Sequence, residues 1–211
     1  MPNWCSTDIT FYSANKEPIE KMRKMLTKLE ENPSRVENDF GSLWLGNILD
    51  AHNIDWKKES CRGYITYFSQ IEEKEEYWTI QVQQEDAWTP NHEMWYQVLD
   101  AETDYEGIEL VYYAFEPGCP IYITSDSSGS FYPIRYRIEA CLQKTDCNYP
   151  YHDYIEEEFS NEKDLLETLN ELNVNHFFTS VQEANRYFNN FIRETADPDA
   201  YFALYECEIC P

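Results

Sequence analysis

The chain has 211 residues, of which 40 are Asp or Glu and 16 are Lys or Arg, so its formal net charge is −24. A field of this sign repels nucleic acid and anionic membranes and disfavours both as direct partners. Aromatic residues make up 16% of the chain, which argues against intrinsic disorder, and no apolar run approaches the roughly 20 residues that a membrane-spanning helix needs.

The acidic charge is concentrated after the first 62 residues. Residues 1–62 contain nine Lys or Arg and ten Asp or Glu, whereas residues 63–211 contain seven and thirty. An acidic surface of this strength attracts basic protein surfaces. It is equally compatible with a role in solubility alone.

The amino terminus and the cysteines indicate an intracellular protein. The first residues lack the basic and apolar regions of a secretory signal peptide. The odd number of cysteines, seven, is typical of free thiols in a reducing cytosol. We therefore expect a cytoplasmic protein.

In chain order, a strand is predicted at 8–12, where the residues alternate and favour β-structure. A helix is predicted at 18–31 from one apolar stripe, which consists of Ile19, Met22, Leu26 and Leu29. The lysines on its other side, which we expect to be solvated, are Lys21, Lys24 and Lys28. The next elements are a helix at 41–54, strands at 61–68 and 77–83 joined by a charged hairpin turn at 71–76, and a helix at 90–100 that Thr89 would cap.

The carboxy-terminal half continues with strands at 108–115, 121–124 and 131–142. A strand at 151–155 follows, and then two helices that begin at Ser160 and Ser180, with Glu183 completing a capping box in the second. The last strand is predicted at 201–209. This order predicts an α+β fold, with helices on one face of an antiparallel sheet. Two domains are predicted, a core at 1–145 and an α+β extension at 146–211.

Three short motifs resemble those of the YubB-like ferredoxin-like family. Residues 1–5 read Met-Pro-Asn-Trp-Cys and precede a strand and an amphipathic helix, like the M-x-N-W-C opening of that family. Residues 87–90, Ala-Trp-Thr-Pro, are similar to its A-W-S-P motif, and residues 116–118 match its E-P-G. The chain has Thr7 and Ser13 where the family has Asn and Gly.

The resemblance implies a ferredoxin-like core and an origin in a plasmid, conjugative element or phage. It supplies no catalytic residues. Physical chemistry gives the opening motif a structural role, because Trp4 and Cys5 lead into the first strand and are expected to pack at the end of the sheet.

The cysteines near the carboxy terminus suggest an alternative. Cys207 and Cys210 form a C-x-x-C pair, and Cys141, Cys147 and His152 could complete a zinc site. The pair ends a predicted strand between Glu206 and Glu208, which would raise a thiol pKa rather than lower it. Buried, unreactive cysteines are therefore the simpler interpretation.

No enzyme active site and no cofactor are predicted. The four histidines lie in four different predicted elements, and no Gly-rich phosphate loop occurs. The segment 72–109 instead combines twelve acidic residues with several Trp and Tyr residues, a composition that suits a protein interface. The partner-binding residues predicted there are Trp88, Trp95, Tyr96, Glu102, Asp104, Tyr105, Glu106 and Glu109.

These observations favour a non-enzymatic acidic protein that binds a basic partner. Its most specific form is a counter-defence inhibitor that mimics nucleic acid toward a nucleic-acid-binding host protein. A zinc- or thiol-dependent protein and a purely structural accessory domain are the alternatives.

Overall fold

The computed structural model describes residues 3–141, 154–172, 176–194 and 200–210. Within these ranges the fold is mixed α+β, as predicted, and it has five α-helices and two sheets. No helix in the described ranges is long and apolar enough to cross a membrane. The chain divides into two compact units, Met1–Ser127 with Ile209–Pro211, and Ser128–Glu208.

The elements follow one another in this order. The strands are β1 (Trp4–Ser13), β2 (Gly63–Phe68), β3 (Glu72–Glu73), β4 (Trp78–Ala87), β5 (Glu109–Glu116), β6 (Ile121–Thr124), β7 (Tyr136–Cys141), β8 (Tyr154–Phe159), β9 (Tyr201–Glu206) and β10 (Glu208–Ile209). The helices are α1 (Lys16–Glu31), α2 (Leu45–Ala51), α3 (Glu93–Ala101), α4 (Glu162–Glu171) and α5 (Val181–Glu194), with a 3₁₀ turn at Thr103–Tyr105.

The first unit is built on one sheet. Its strand order is β10-β6-β5-β1-β4-β2, and β3 also pairs with β4. The ladders that join β1 to β4 and β5, β4 to β2, and β5 to β6 are all antiparallel. Alternate residues of the central strands, such as Ile9, Val82 and Leu110, pack with the helices in one hydrophobic core.

Helix α1 confirms the apolar stripe read from the sequence. Ile19, Met22, Leu26 and Leu29 are its four buried residues. The stripe works because residues three and four positions apart lie on the same side of a helix. The helix therefore covers the sheet with one face and leaves its lysines on the other.

The opening motif divides between core and surface. Cys5 is fully buried, as its predicted packing role requires. Trp4 is 37% exposed and packs edge-on against Phe40 and Tyr64, which places it on the surface and not at the end of the core. The reason is strand alternation, because neighbouring residues of β1 face opposite sides of the sheet.

Several predicted boundaries change, among them the starts of α3 and β7. Helix α3 begins at Glu93 with His92 as the residue before it, so Thr89 does not cap it. Residues 89–92 instead form a connection in which Asn91 is buried and donates to Asp86. The strand predicted at 131–142 begins only at Tyr136.

The second unit has its own sheet and core. The strand order is β8-β7-β9, with both ladders antiparallel. Helices α4 and α5 bury residues such as Leu165, Leu169 and Phe188 against one side of it. Asn161 caps α4 by accepting from the backbone amide of Asp164 at 3.0 Å.

The two units meet in the chain between Ser127 and Ser128, and the last three residues of the chain belong to the first unit. Strand β7, which the predicted boundary assigned to the first domain, belongs to the second unit. The predicted boundary at 145/146 lies outside the described residues.

Candidate acidic interaction surface

Four separate segments bring carboxylates to one end of the first sheet. In the strand register, Glu109 of β5 lies opposite Tyr12 of β1, Tyr12 lies opposite Thr79 of β4, and Thr79 lies opposite Glu72 of β3. Strands are about 4.8 Å apart, so Glu109 and Glu72 start from backbone positions roughly 14 Å apart in one row. We call this region the acidic end. Its carboxylates are Glu72, Glu73, Glu75, Glu76, Glu102, Asp104, Glu106 and Glu109.

The local chain geometry places the remaining members of the set. Glu75 and Glu76 lie in the β3–β4 hairpin, which the hydrogen bond from Lys74 N to Tyr77 O closes at 2.8 Å. Glu102, Asp104 and Glu106 lie in the connection from α3 to β5, where Gly107 has a φ of +82°. A glycine suits that left-handed turn because it carries no Cβ. Both connections therefore lie at the same end of the sheet, the acidic end.

Few cations balance this charge. Within the described ranges, the ion pairs of the acidic end are Lys21 with Asp104 and Lys74 with Glu72, both at 2.8 Å. Hydrogen bonds to these carboxylates raise the pKa of Lys21 and of Lys74. Both pairs are exposed and screened by water, so they fix geometry more than they stabilise the fold. The remaining carboxylates leave a negative surface.

The Tyr12 hydroxyl lies at the acidic end and is affected by its negative charge. The Tyr12 hydroxyl donates to a carboxylate oxygen of Glu109 at 2.7 Å. Burial, together with the hydrogen bond to Glu109, raises the pKa of Tyr12 to about 12. Tyr12 therefore stays protonated at neutral pH and acts as a donor.

Two of the eight predicted partner-binding residues belong to the core. Trp95 has no exposed surface, packs edge-on against Phe11 at 5.0 Å, and donates its indole N–H to Gln84. Tyr105 is 6% exposed, and its hydroxyl lies 3.1 Å from Nε2 of His52. An amphipathic helix must bury one face, and the Trp95 position falls on the buried face of α3.

Two further predicted residues are exposed but lie elsewhere. Trp88 is 43% exposed and follows the end of β4, where its amide donates to Asn3 O at 2.9 Å. Because β4 spans ten residues, this end lies roughly 30 Å from the acidic end. Tyr96 is exposed midway along α3, edge-on to His92. The structure therefore groups Glu102, Asp104, Glu106 and Glu109, and it separates them from Trp88.

The β3–β4 hairpin supplies the carboxylates that the sequence did not assign to the site. The run 72–76 was predicted as a charged turn, and composition alone could not show which strand end it would face. The signal that could have found it is the pairing of β4 with β1, which sets the hairpin beside Tyr12 and Glu109.

A buried polar network lies at the other end of β4. Asp86 is fully buried and accepts from the Thr7 hydroxyl at 2.8 Å and the Gln84 amide at 2.7 Å on one oxygen. Its other oxygen accepts from Asn91 at 2.8 Å. Burial raises the pKa of Asp86 above its ordinary value, and the three donated hydrogen bonds partly offset that effect.

Three of the described thiols, Cys5, Cys61 and Cys119, are poor nucleophiles. Burial raises the pKa of Cys5 to about 12, and burial also raises the pKa of Cys61. A hydrogen bond with Glu116 raises the pKa of Cys119. The thiolate is the reactive form, so these shifts oppose thiol chemistry at neutral pH.

The predicted zinc ligands fall only partly within the described residues. Cys141, Cys207 and Cys210 are described and are not in a disulfide, whereas Cys147 and His152 lie outside the described ranges. Among the residues that the structure describes, no group of three or more His, Cys, Asp and Glu side chains could hold a metal ion. The zinc hypothesis stays a prediction.

Comparison with known proteins adds no relative. No family model, no curated protein and no solved structure matches the chain.

Proposed function

We propose that this protein is a non-enzymatic binding protein whose acidic end docks on a basic surface of a partner protein. The observation that carries the proposal is the placement of eight carboxylates at one sheet end. The strand register sets Glu72, Glu73 and Glu109 there, and the other five lie in the two connections that lead into β4 and β5. The two ion-paired lysines leave most of that charge without a cation inside the described part of the molecule.

Electrostatics supports a partner of positive charge. A surface of one sign raises the rate at which an oppositely charged protein arrives, and it disfavours partners of like charge. The charge sits on short connections and at strand ends, where carboxylates reach solvent without a cost in core packing.

The most specific form of the proposal is a counter-defence inhibitor that mimics nucleic acid. A nucleic-acid-binding protein positions its basic groups on phosphates, and a row of carboxylates can occupy those groups in the same way. The origin in a plasmid or phage stays a prediction that rests on the three motifs.

The finer fold assignment belongs to the same proposal. In the first unit, β1, α1, β2, β4, α3 and β5 follow one another along the chain. In the sheet, the four strands lie in the order β5-β1-β4-β2, with antiparallel ladders. This is the arrangement of a split βαβ, or ferredoxin-like, core. Strand order supports such a core here, with α2, β3, β6 and β10 as additions.

Two variants that each remove four charges test the proposal. One replaces Glu72, Glu73, Glu75 and Glu76 with Gln, and the other replaces Glu102 and Glu106 with Gln, Asp104 with Asn and Glu109 with Gln. The control replaces Glu30, Glu31, Glu167 and Glu171, which are exposed and outside the acidic end. All three variants have the same net charge, so a difference in partner binding between them depends on where the charges were removed.

The measurement is affinity capture from a host lysate, followed by the association rate of the recovered partner at low and moderate salt. We expect both acidic-end variants to lose the partner and the control to keep it. Binding by the natural protein should slow as salt rises, because exposed charges are screened beyond about 8 Å at physiological ionic strength. Equal loss in all three variants would show that net charge alone is responsible and would contradict the proposal.

A further inference from the structure

The first unit contains a groove of about 730 Å³. Helix α1, the residues that follow it, the end of α2 and the 3₁₀ turn form its walls. Its volume is in the range of sites for small organic molecules, roughly 300–1,000 Å³. It adjoins the acidic end and shares Glu102 and Asp104 with it, but its other lining residues are different.

One wall of the groove is cationic. Its charged side chains are Lys21, Lys24, Lys28 and Arg35. Lys21 pairs with Asp104 and Arg35 pairs with Asp50, each at 2.8 Å. Lys24 and Lys28 make no ion pair within the described ranges. They lie four residues apart on one helix face, where like charges repel, and a bound anion would relieve that repulsion.

Part of the groove lining is apolar or aromatic. Met25, Leu29 and Ala51 line the groove beside Tyr105 and His52. The His52 ring is fixed, because Nδ1 lies 2.7 Å from Ile48 O and Nε2 lies 3.1 Å from the Tyr105 hydroxyl. A fixed aromatic and apolar lining favours a planar ring over a hydrated ion.

The groove lining also carries carboxylates. Glu102 and Asp104 both line the groove. Asp104 is held by Lys21, whereas Glu102 has no ion pair among the described residues. A carboxylate only accepts hydrogen bonds, so Glu102 suits a ligand hydroxyl or amine.

We propose that this groove binds a nucleotide-like organic phosphate. The phosphates lie between Lys24 and Lys28, the planar base lies on Met25 and Ala51, the partly exposed apolar residues of the lining, and a hydroxyl or amine of the ligand donates to Glu102. The two lysines are about 6 Å apart along the helix axis, a distance that a diphosphate can bridge with several acceptor oxygens. A carboxylate has only two acceptor oxygens and is too short to bridge the two lysines in this way.

Isothermal titration with ADP, adenosine and pyrophosphate tests the proposal on the full chain. We expect ADP to bind and each fragment to bind at least about tenfold more weakly, because each makes only part of the contacts. Replacing Lys24 and Lys28 with Gln should weaken ADP by about tenfold or more. The control replaces the exposed Lys57 and Lys58 with Gln, removes the same charge outside the groove, and should leave ADP binding unchanged.

Three results would overturn the proposal. The first is no heat with ADP at concentrations of about 1 mM. The second is equal affinity for ADP and pyrophosphate, which would indicate a simple anion site without recognition of the ring. The third is an equal loss of affinity in the two lysine variants, which would place the effect in overall charge. Circular dichroism of both variants separates these results from unfolding.

Discussion

Asp86 shows how a buried carboxylate can be held by neutral groups alone. Its oxygens accept from Thr7, Gln84 and Asn91, and Gly63 lies so close that an added Cβ would be 2.3 Å from one of them. Glycine at position 63 therefore serves close packing and not a turn. The described contacts of the Asp86 carboxylate include no cation, so its charged form is costly to bury.

We expect Asp86 to lower stability as pH rises. Burial raises the pKa of the folded carboxyl above the unfolded value of about 3.9, so the folded state holds the proton more tightly. The contribution of this group to the free energy of unfolding is fully present below the unfolded pKa and is lost as pH rises through the folded pKa. Replacing Asp86 with Asn removes this dependence and nearly keeps the shape.

Urea denaturation from about pH 3.5, below the unfolded pKa, to about pH 8 measures the effect. The stability of the natural protein should fall relative to Asp86→Asn as pH rises, while the exposed control Asp39→Asn should follow the natural protein. Asp86→Ala should cost about 3 kcal/mol or more at every pH, because three buried donors lose their acceptor. A constant difference between the natural protein and Asp86→Asn across this range would contradict the prediction.

The burial of Trp95 and the position of Glu72 show how far the sequence predicts the placement of single residues. The apolar stripe of α1 was predictable because helical periodicity is local. The same periodicity bears on Trp95, since Met94, Trp95 and Val98 are the buried residues of α3, but the acidic, aromatic-rich composition of the segment favoured an interface instead. The position of Glu72 beside the row of Glu109 depends on strand register, which is set by contacts distant in the chain.

At the scale of elements, the β3–β4 hairpin concentrates negative charge on a two-residue strand. Its four glutamates are exposed, and Lys74 is the cation between them. Short edge strands with charged side chains resist pairing with other chains. The same charge repels the carboxylates of the α3–β5 connection, so the hairpin costs some stability in the unbound protein.

Removing that charge should stabilise the fold at low ionic strength. The variant with Gln at positions 72, 73, 75 and 76 should unfold at a higher urea concentration than the natural protein in dilute buffer. Since salt screens exposed charges, the difference should shrink at about 1 M salt, where the Debye length is about 3 Å. The four-charge control at positions 30, 31, 167 and 171 should gain less. A hairpin variant less stable than the natural protein at low salt would show that these glutamates hold the fold together.

At the scale of the molecule, the described residues form two hydrophobic cores that have no residue in common. One includes Leu26 and the central strands of the first sheet, and the other includes Leu169 with α4, α5 and the second sheet. Each core closes around its own sheet and helices. Two such cores can open separately, since local unfolding follows contiguous packed units.

Hydrogen exchange of two matched core variants tests this separation. Leu26→Ala and Leu169→Ala each remove a fully buried leucine and should cost about 2–5 kcal/mol within their own unit. We expect Leu26→Ala to speed amide exchange in β1 and β4 but to leave β7 and β9 protected, and Leu169→Ala to do the reverse. If either variant speeds exchange in both sheets equally, the two cores unfold as one cooperative body. The acidic end and the groove, both in the first unit, would then depend on the second core as well.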